Sequence, residues 1–140
     1  MDTKKTGNLG EKIAENYLKK KGYQVLEKNY SFRVQGNPLK GEIDIVAKKD
    51  DIITFIEVKT LRLALARSGQ ALRPEEKVNF SKQMKLRRMA ESWLMENKIP
   101  LNSKWQIDVI GIEINKSSFA RATAGEEIKI SHFENAISYC

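Results

Sequence analysis

The chain is poor in the residues that would tie it to a secreted, metal-sulfur or membrane class. Its one cysteine, Cys140, is the last residue, which excludes a disulfide framework and a thiolate zinc site and fits a reducing cytoplasm. It has one histidine, His132, so no multi-histidine metal site is available, and that side chain is expected on the surface or on an edge strand. Three prolines and eight glycines in 140 residues leave no linker-like stretch, and neither repeats nor low-complexity tracts are present. There is no apolar run of about eighteen residues, hence no membrane span is expected, and no signal-peptide pattern opens the chain. The length and the 41% hydrophobic content suit one soluble domain over residues 1–140.

What the chain has in excess is positive charge, and it is localised. The net charge is +7. Between Lys59 and Arg88 lie nine Lys or Arg residues against two acids, which leaves 16 basic and 16 acidic residues elsewhere. The whole excess therefore falls in one segment, as a polyanionic, phosphate-bearing partner requires.

That segment follows GEIDIVAKKDDIITFIEVKT, residues 41–60, which reads as two strands joined at Lys48–Asp51. Ile43, Ile45 and Ala47 alternate with Glu42, Asp44 and Val46; in the second strand Ile53, Phe55, Glu57 and Lys59 share a face. A turn centred on Asp50-Asp51 makes paired residue numbers sum to 101, which sets Asp44 across from Glu57 and Glu42 across from Lys59. Opposed acids repel. Their natural compensation is a hard divalent cation such as Mg²⁺, which takes carboxylate oxygens. The competing reading is that Asp44 and Glu57 are merely salt-bridged to Lys59 and nearby arginines.

Around this hairpin, Asn8 to about Lys21 is predicted helical, with Asn8 and Glu11 in a capping-box pattern and Gly22 as the stop. Residues 23–33 alternate as a strand, and 34–41 form a loop. After Thr60, the arginine-bearing stretch 61–74 shows no period and is expected to be a mobile flap beside the site. A long helix is predicted from Pro74 or Glu75 to about Asn97, with Leu86, Met89, Ala90, Trp93 and Leu94 as its apolar face. Projected backward, that face meets Lys82 and Gln83, which either border the site or point to solvent. Residues 104–114 and 126–133 are predicted strands, the latter at an edge; Asp108 sits unexplained in the former. The order is α-β-β-β-α-β-β in one α/β domain.

Glu11, Asp44 and Glu57-Val58-Lys59, with their order, resemble the PD-(D/E)xK nuclease superfamily. More closely, GNLGEKIAENYL, GEIDIVA, FIEVKT and KQMKLRRMAESWL resemble the YraN family of small bacterial proteins, which are regarded as endonucleases and are similar to the archaeal Holliday-junction resolvases. The likeness runs from about Gly7 to Ile137. The D…ExK pattern alone recurs by chance; GEID, the thirteen-residue spacing from Asp44 to Glu57 and the following helix make it more specific. No proline precedes the acid of Glu42-Ile43-Asp44, a feature the YraN family shares.

The resemblance implies a restriction-endonuclease-like αβββαβ core with a mixed central sheet flanked by helices, and a DNA endonuclease dependent on Mg²⁺ or Mn²⁺. Asp44, Glu57, the Val58 carbonyl and Glu11 are then the metal ligands. Lys59 orients the attacking water or stabilises charge on phosphorus, and Gln83 matches a site-lining glutamine. Arg62, Arg67, Lys82, Lys85, Arg87 and Arg88 are the expected phosphate contacts, giving affinity without base reading. Expected substrates are branched, flapped or single-stranded DNA, with RNA open, and a homodimer is implied by the resolvase likeness. The alternative is a nucleic-acid-binding or partner-binding protein, with little or no turnover, on a nuclease scaffold.

Overall fold

The structure, a computed structural model, describes residues 3–31, 41–63, 80–116 and 126–137. In chain order these form helix α1 (Thr3–Lys20), strands β1 (Gln24–Ser31), β2 (Glu42–Lys49) and β3 (Ile52–Leu63), helix α2 (Phe80–Glu96), and strands β4 (Trp105–Lys116) and β5 (Glu126–Phe133). One sheet holds the strands in the order β1-β2-β3-β4-β5. All neighbours are antiparallel except β3 and β4, which run parallel. A parallel pair needs a long crossover, and α2 lies in it. This is the mixed sheet flanked by helices of a restriction-endonuclease-like α/β core. Among the described residues no helix is long and apolar enough to cross a membrane.

The β2–β3 turn follows from its residues. Asp50 and Asp51 have φ of 51° and 62°, the left-handed pair of a type I′ hairpin, which short Asp side chains tolerate. The ladder then runs from Lys49↔Ile52 to Ile45↔Ile56, every pair summing to 101.

Alternation fails at Asp44. Ile43 was expected to share a face with Ile45 and Ala47, but it packs with Tyr30 and the α2 side of the sheet, while the other two pack on the α1 side. Two local distortions account for the change of face. The Asp44 carboxylate turns into the gap between strands to accept from the Val58 N–H at 2.8 Å. On the other side Asn29, between the pairs Lys28↔Ile45 and Tyr30↔Ile43, is left-handed with φ 55°.

Each sheet face has its own core. Ala14 and Leu18 of α1 pack on Ile45, Ala47, Ile56, Ile110, Ile112 and Ile114. Leu86, Met89, Ala90, Trp93 and Leu94 of α2, the expected apolar face, pack on Val46, Ile53, Phe55, Ile107 and Val109. Trp93 Nε1 donates to Glu27 Oε1 at 2.9 Å, and the Tyr30 hydroxyl meets Ser92 Oγ at 3.0 Å, so α2 is also tied to β1.

Both helices end in the same motif. Gly22 (φ 95°) closes α1 with Tyr23 N–H to Leu18 O and Gly22 N–H to Lys19 O. Lys98 (φ 57°) closes α2 with Ile99 N–H to Leu94 O and Lys98 N–H to Met95 O.

Two boundaries differ from the expectation. Helix α1 begins at Thr3 rather than Asn8, so Asn8 and Glu11 lie inside it and do not form an N-terminal capping box. Strand β3 continues to Leu63 because β4 offers partners as far as Leu63↔Asn115, so residues 61–63 are strand, not flap. The rest of the expected flap, and residues 74–79 of the expected longer α2, lie outside the described residues.

Candidate metal and phosphate site

The site forms where β2 and β3 part beyond Ile45↔Ile56. Asp44 and Glu57 stand at that fork because each interrupts an apolar strand at its first unpaired step. Helix α1 reaches the fork through Gly10, whose absent side chain leaves room for Thr60 of β3; a Cβ there would collide with the Thr60 hydroxyl. Gly7, the glycine of the Gly-x-x-x-Glu pattern, has open space around it, so the steric requirement falls on Gly10. The next residue is Glu11.

Carboxylate oxygens of Glu11, Glu42 and Asp44 all lie within 4.8 Å of one another. Burial, the charge of Glu57 and the proximity of Glu11 push the Asp44 carboxyl up to about 8, against the opposing Val58 N–H bond. Burial, then Glu11 and Glu57, raise Glu42 in the same sense. Without a cation Asp44 holds a proton that a free carboxylate would release.

Glu57 faces the α2 side and is only 5% exposed. Its Oε1 accepts from Lys82 Nζ at 2.8 Å and lies 3.4 Å from Lys59 Nζ. Its Oε2 is buried and has no hydrogen-bond partner among the described residues. A buried carboxylate oxygen left without a donor is costly. Burial and the neighbouring Lys82 hold Lys59 below the usual lysine range, although Glu57 acts the other way. Burial is the largest single effect on Lys82 and lowers it, but its bonds to Glu57 and Lys59 and the charges of Glu57 and Asp44 together hold it above the usual range.

These residues fit a divalent cation. The donors are hard oxygens, one of them orphaned, and four carboxylates against two ammoniums leave two negative charges when all are ionised. The observed contribution of Val58 is its N–H, which orients Asp44.

The expected site residues are distributed as follows. Glu11 and Asp44 come together, and Glu57, Lys59 and Lys82 form the adjoining ion-paired group. Lys82 therefore borders the site rather than solvent. Gln83 is half-buried one residue on; Arg87 is half-buried, and Lys85 and Arg88 are exposed along α2. Arg62 lies in β3, and Arg67 lies outside the described residues. Glu42, absent from the expected ligands, joins the cluster. The signal for it was its place two residues before Asp44, which strand alternation sends to the same side.

A second polar group lies on the α1 face. Asp108 is fully buried; its Oδ1 accepts from Gln106 Nε2 at 2.9 Å and from Asn135 N–H at 2.8 Å. His132 Nε2 lies 2.7 Å from Asp108 Oδ2, and its Nδ1 is 3.1 Å from the Tyr17 hydroxyl. The single histidine thus sits on edge strand β5 but is half-buried, bridging β4 to α1. Every acceptor of Asp108 is engaged, which makes this group a structural clasp.

Residues 10–112 match the uncharacterised protein family UPF0102. A UPF0102 protein of Alkaliphilus oremlandii is 39% identical over 135 residues, covering 95% of this chain and 97% of the relative. One from Clostridium tetani is 42% identical over 112 residues, covering 80% and 82%. One from Alkaliphilus metalliredigens is 37% identical over 134 residues, covering 96% and 98%. The match takes in Glu11, Asp44, Glu57, Lys59 and Lys82 and most of both cores, so the chain belongs to the UPF0102 family, the YraN family that its motifs resemble.

Proposed function

We propose that this protein is a divalent-metal-dependent nuclease that hydrolyses DNA phosphodiesters, with Mg²⁺ or Mn²⁺ as cofactor. The observation that carries the reading is the buried Glu57 carboxylate, one oxygen shared by Lys59 and Lys82 and the other without a partner among the described residues, beside the Asp44–Glu11 pair. A salt-bridge role alone accounts for Oε1 but leaves Oε2 and the proton-holding Asp44 unexplained.

Asp44, Glu57 and Glu11 are the residues that hold the cation. The cation supplies Lewis-acid polarisation of the phosphodiester and acidification of the attacking water. Val58 N–H fixes the rotamer of Asp44, so the carboxylate is oriented before substrate arrives. Lys82 holds Glu57 and remains charged, placing a cation where negative charge builds on the phosphoryl oxygens. Lys59, 3.4 Å from Glu57 Oε1, is placed to orient the attacking water or to donate to the phosphoryl oxygens. Lys85 and Arg88 extend the positive surface along the exposed side of α2 and, with Arg62, Arg67 and Arg87, hold backbone phosphates. Nothing among them reads bases, so the structure of the DNA rather than its sequence is the expected determinant.

The test is cleavage of labelled single-stranded, duplex, flap and four-way-junction DNA with Mg²⁺ or Mn²⁺, with binding measured in parallel. Wild type should cut at least one substrate, and Asp44→Asn and Lys59→Ala should each abolish cutting while binding persists. Binding without cleavage in either metal would replace this reading with that of a non-catalytic nucleic-acid-binding protein on the same scaffold.

A further inference from the structure

We propose that Glu42 is a direct ligand of the divalent cation, so that the centre is held from β2 by two acids, Glu42 and Asp44, and from α1 by Glu11. The inference rests on the metal-dependent reading above and adds a residue to it. Two independent observations support it. Glu11, Glu42 and Asp44 already bring one oxygen each within 4.8 Å of the others with no cation holding them. An octahedral Mg²⁺ with bonds of about 2.0–2.1 Å sets adjacent ligand oxygens about 2.9 Å apart and opposite ones about 4.2 Å apart, so the three need to close by at most about 2 Å, within reach of side-chain rotation. The second observation is Glu57 Oε2, buried and without a hydrogen-bond partner among the described residues, on the residue next to Val58, whose N–H holds Asp44.

The local chain explains why Glu42 reaches the centre. Strand β2 changes face at Asp44, where the carboxylate is drawn between the strands by Val58 N–H. The residues on either side, Ile43 and Ile45, consequently anchor in different cores. Ile43, fully buried, fixes the backbone one residue after Glu42. Glu42 itself is exposed at the start of β2, so it closes the cluster from the solvent side while Glu57 closes it from within. Like charges crowd there without a structural return: no hydrogen-bond or ion-pair partner for Glu42 is found among the described residues, while oxygens of Glu11 and Asp44 lie within 4.8 Å. A cation makes the placement favourable.

The experiment is calorimetric titration of the full chain with MnCl₂, run on wild type, Glu42→Gln, Glu42→Asp, Asp44→Asn and the remote Glu127→Gln. Water-proton relaxivity of the bound Mn²⁺ is measured alongside. Outer-shell partners typically cost 10–100-fold in metal affinity, so loss of a direct ligand in Glu42→Gln should weaken Mn²⁺ binding by about tenfold or more. Relaxivity should rise as a water takes the vacated position. Glu42→Asp should recover part of the affinity, and Glu127→Gln should match wild type. Weakened binding with unchanged relaxivity would mean that Glu42 acts only through its charge, which overturns the ligand assignment. Glu42→Gln at wild-type affinity, with Asp44→Asn non-binding, would overturn it while leaving the metal centre intact. Wild type that takes up no Mn²⁺ would instead remove the nuclease reading, and Glu42 with it. Should Glu42→Gln fail to fold, Glu42→Ala carries the comparison, since wild-type affinity and relaxivity in that variant would overturn the assignment and weakened binding with raised relaxivity would support it.

Discussion

At the scale of single residues, the structure separates two strand acids that look alike in the sequence. Asp44 and Asp108 each interrupt an apolar strand, yet Asp108 has its oxygens satisfied by Gln106, Asn135 and His132, while Asp44 is pushed up to about 8 beside other carboxylates. The difference predicts opposite effects of the same substitution. The folded chain holds a proton on Asp44 that an unfolded chain, with the ordinary value of 3.8, releases. Because the folded value is the higher, this contribution is complete below about pH 4 and is lost as pH rises through about 8. Within that window stability of the metal-free protein should fall as the pH rises. Asp44→Asn should flatten the profile and be more stable than wild type near the upper end; denaturation in chelator across the window is the check. Asp108→Asn or His132→Ala should instead destabilise, by about 3–5 kcal/mol for removal of one partner of a buried pair. A loss within about 1 kcal/mol would show that the clasp contributes little.

At the scale of elements, the seating of α1 and the ends of the helices decide what the site can do. Gly10 lets α1 rest against Thr60 and delivers Glu11 to Asp44. Gly10→Ala should therefore cost about 1–3 kcal/mol by overpacking and should weaken Mn²⁺ binding as well. Gly7→Ala, at a position with open space, should leave Mn²⁺ binding unchanged. Parallel melting and titration of both variants distinguish a steric seat from a general preference for glycine. At the other helix, Lys98 holds a left-handed φ of 57° that glycine adopts without cost. Lys98→Gly should raise stability by about 1 kcal/mol with no change in metal affinity. A lower melting temperature would mean that the lysine side chain contributes more than its backbone costs.

The same elements show where local reading stops. The hairpin register was legible as far as Ile45↔Ile56 because two aspartates mark a type I′ turn; the expected pairs Asp44↔Glu57 and Glu42↔Lys59 are not in the ladder, which ends where the Asp44 carboxylate takes the Val58 N–H. The apolar face of α2 was legible because its period is long and clean. The start of α1 was not, since Thr3–Thr6 carry no apolar residue to set a period and Gly7 reads as a breaker. The end of β3 was missed because residues 61–63 are held by β4, a partner more than forty positions away in sequence.

For the whole molecule, the distribution of charge is the property most open to experiment. The +7 excess arises between Lys59 and Arg88, where β3 leaves the site and α2 returns to it. If that segment binds phosphates, DNA affinity should fall linearly on a log–log plot against salt, and replacing Lys85 and Arg88 together should reduce the slope by about two. Binding that is insensitive to salt, or a double variant with an unchanged slope, would place the DNA elsewhere on the surface.

The sequence by itself determined the order of elements, the hairpin register, both helix stops and the identity of the acids and lysines. Each is set by short-range rules: periodicity, turn chemistry and the residue types a cation or phosphate requires. Tertiary structure alone decided which acids meet. It brought Glu11 to Asp44 through the contact at Gly10, placed Lys82 on Glu57 by packing α2 across the sheet, turned Ile43 to the opposite core and joined His132 to Asp108. Those pairings depend on how helices seat and where strands part, and such distances are fixed only when both cores close around the sheet.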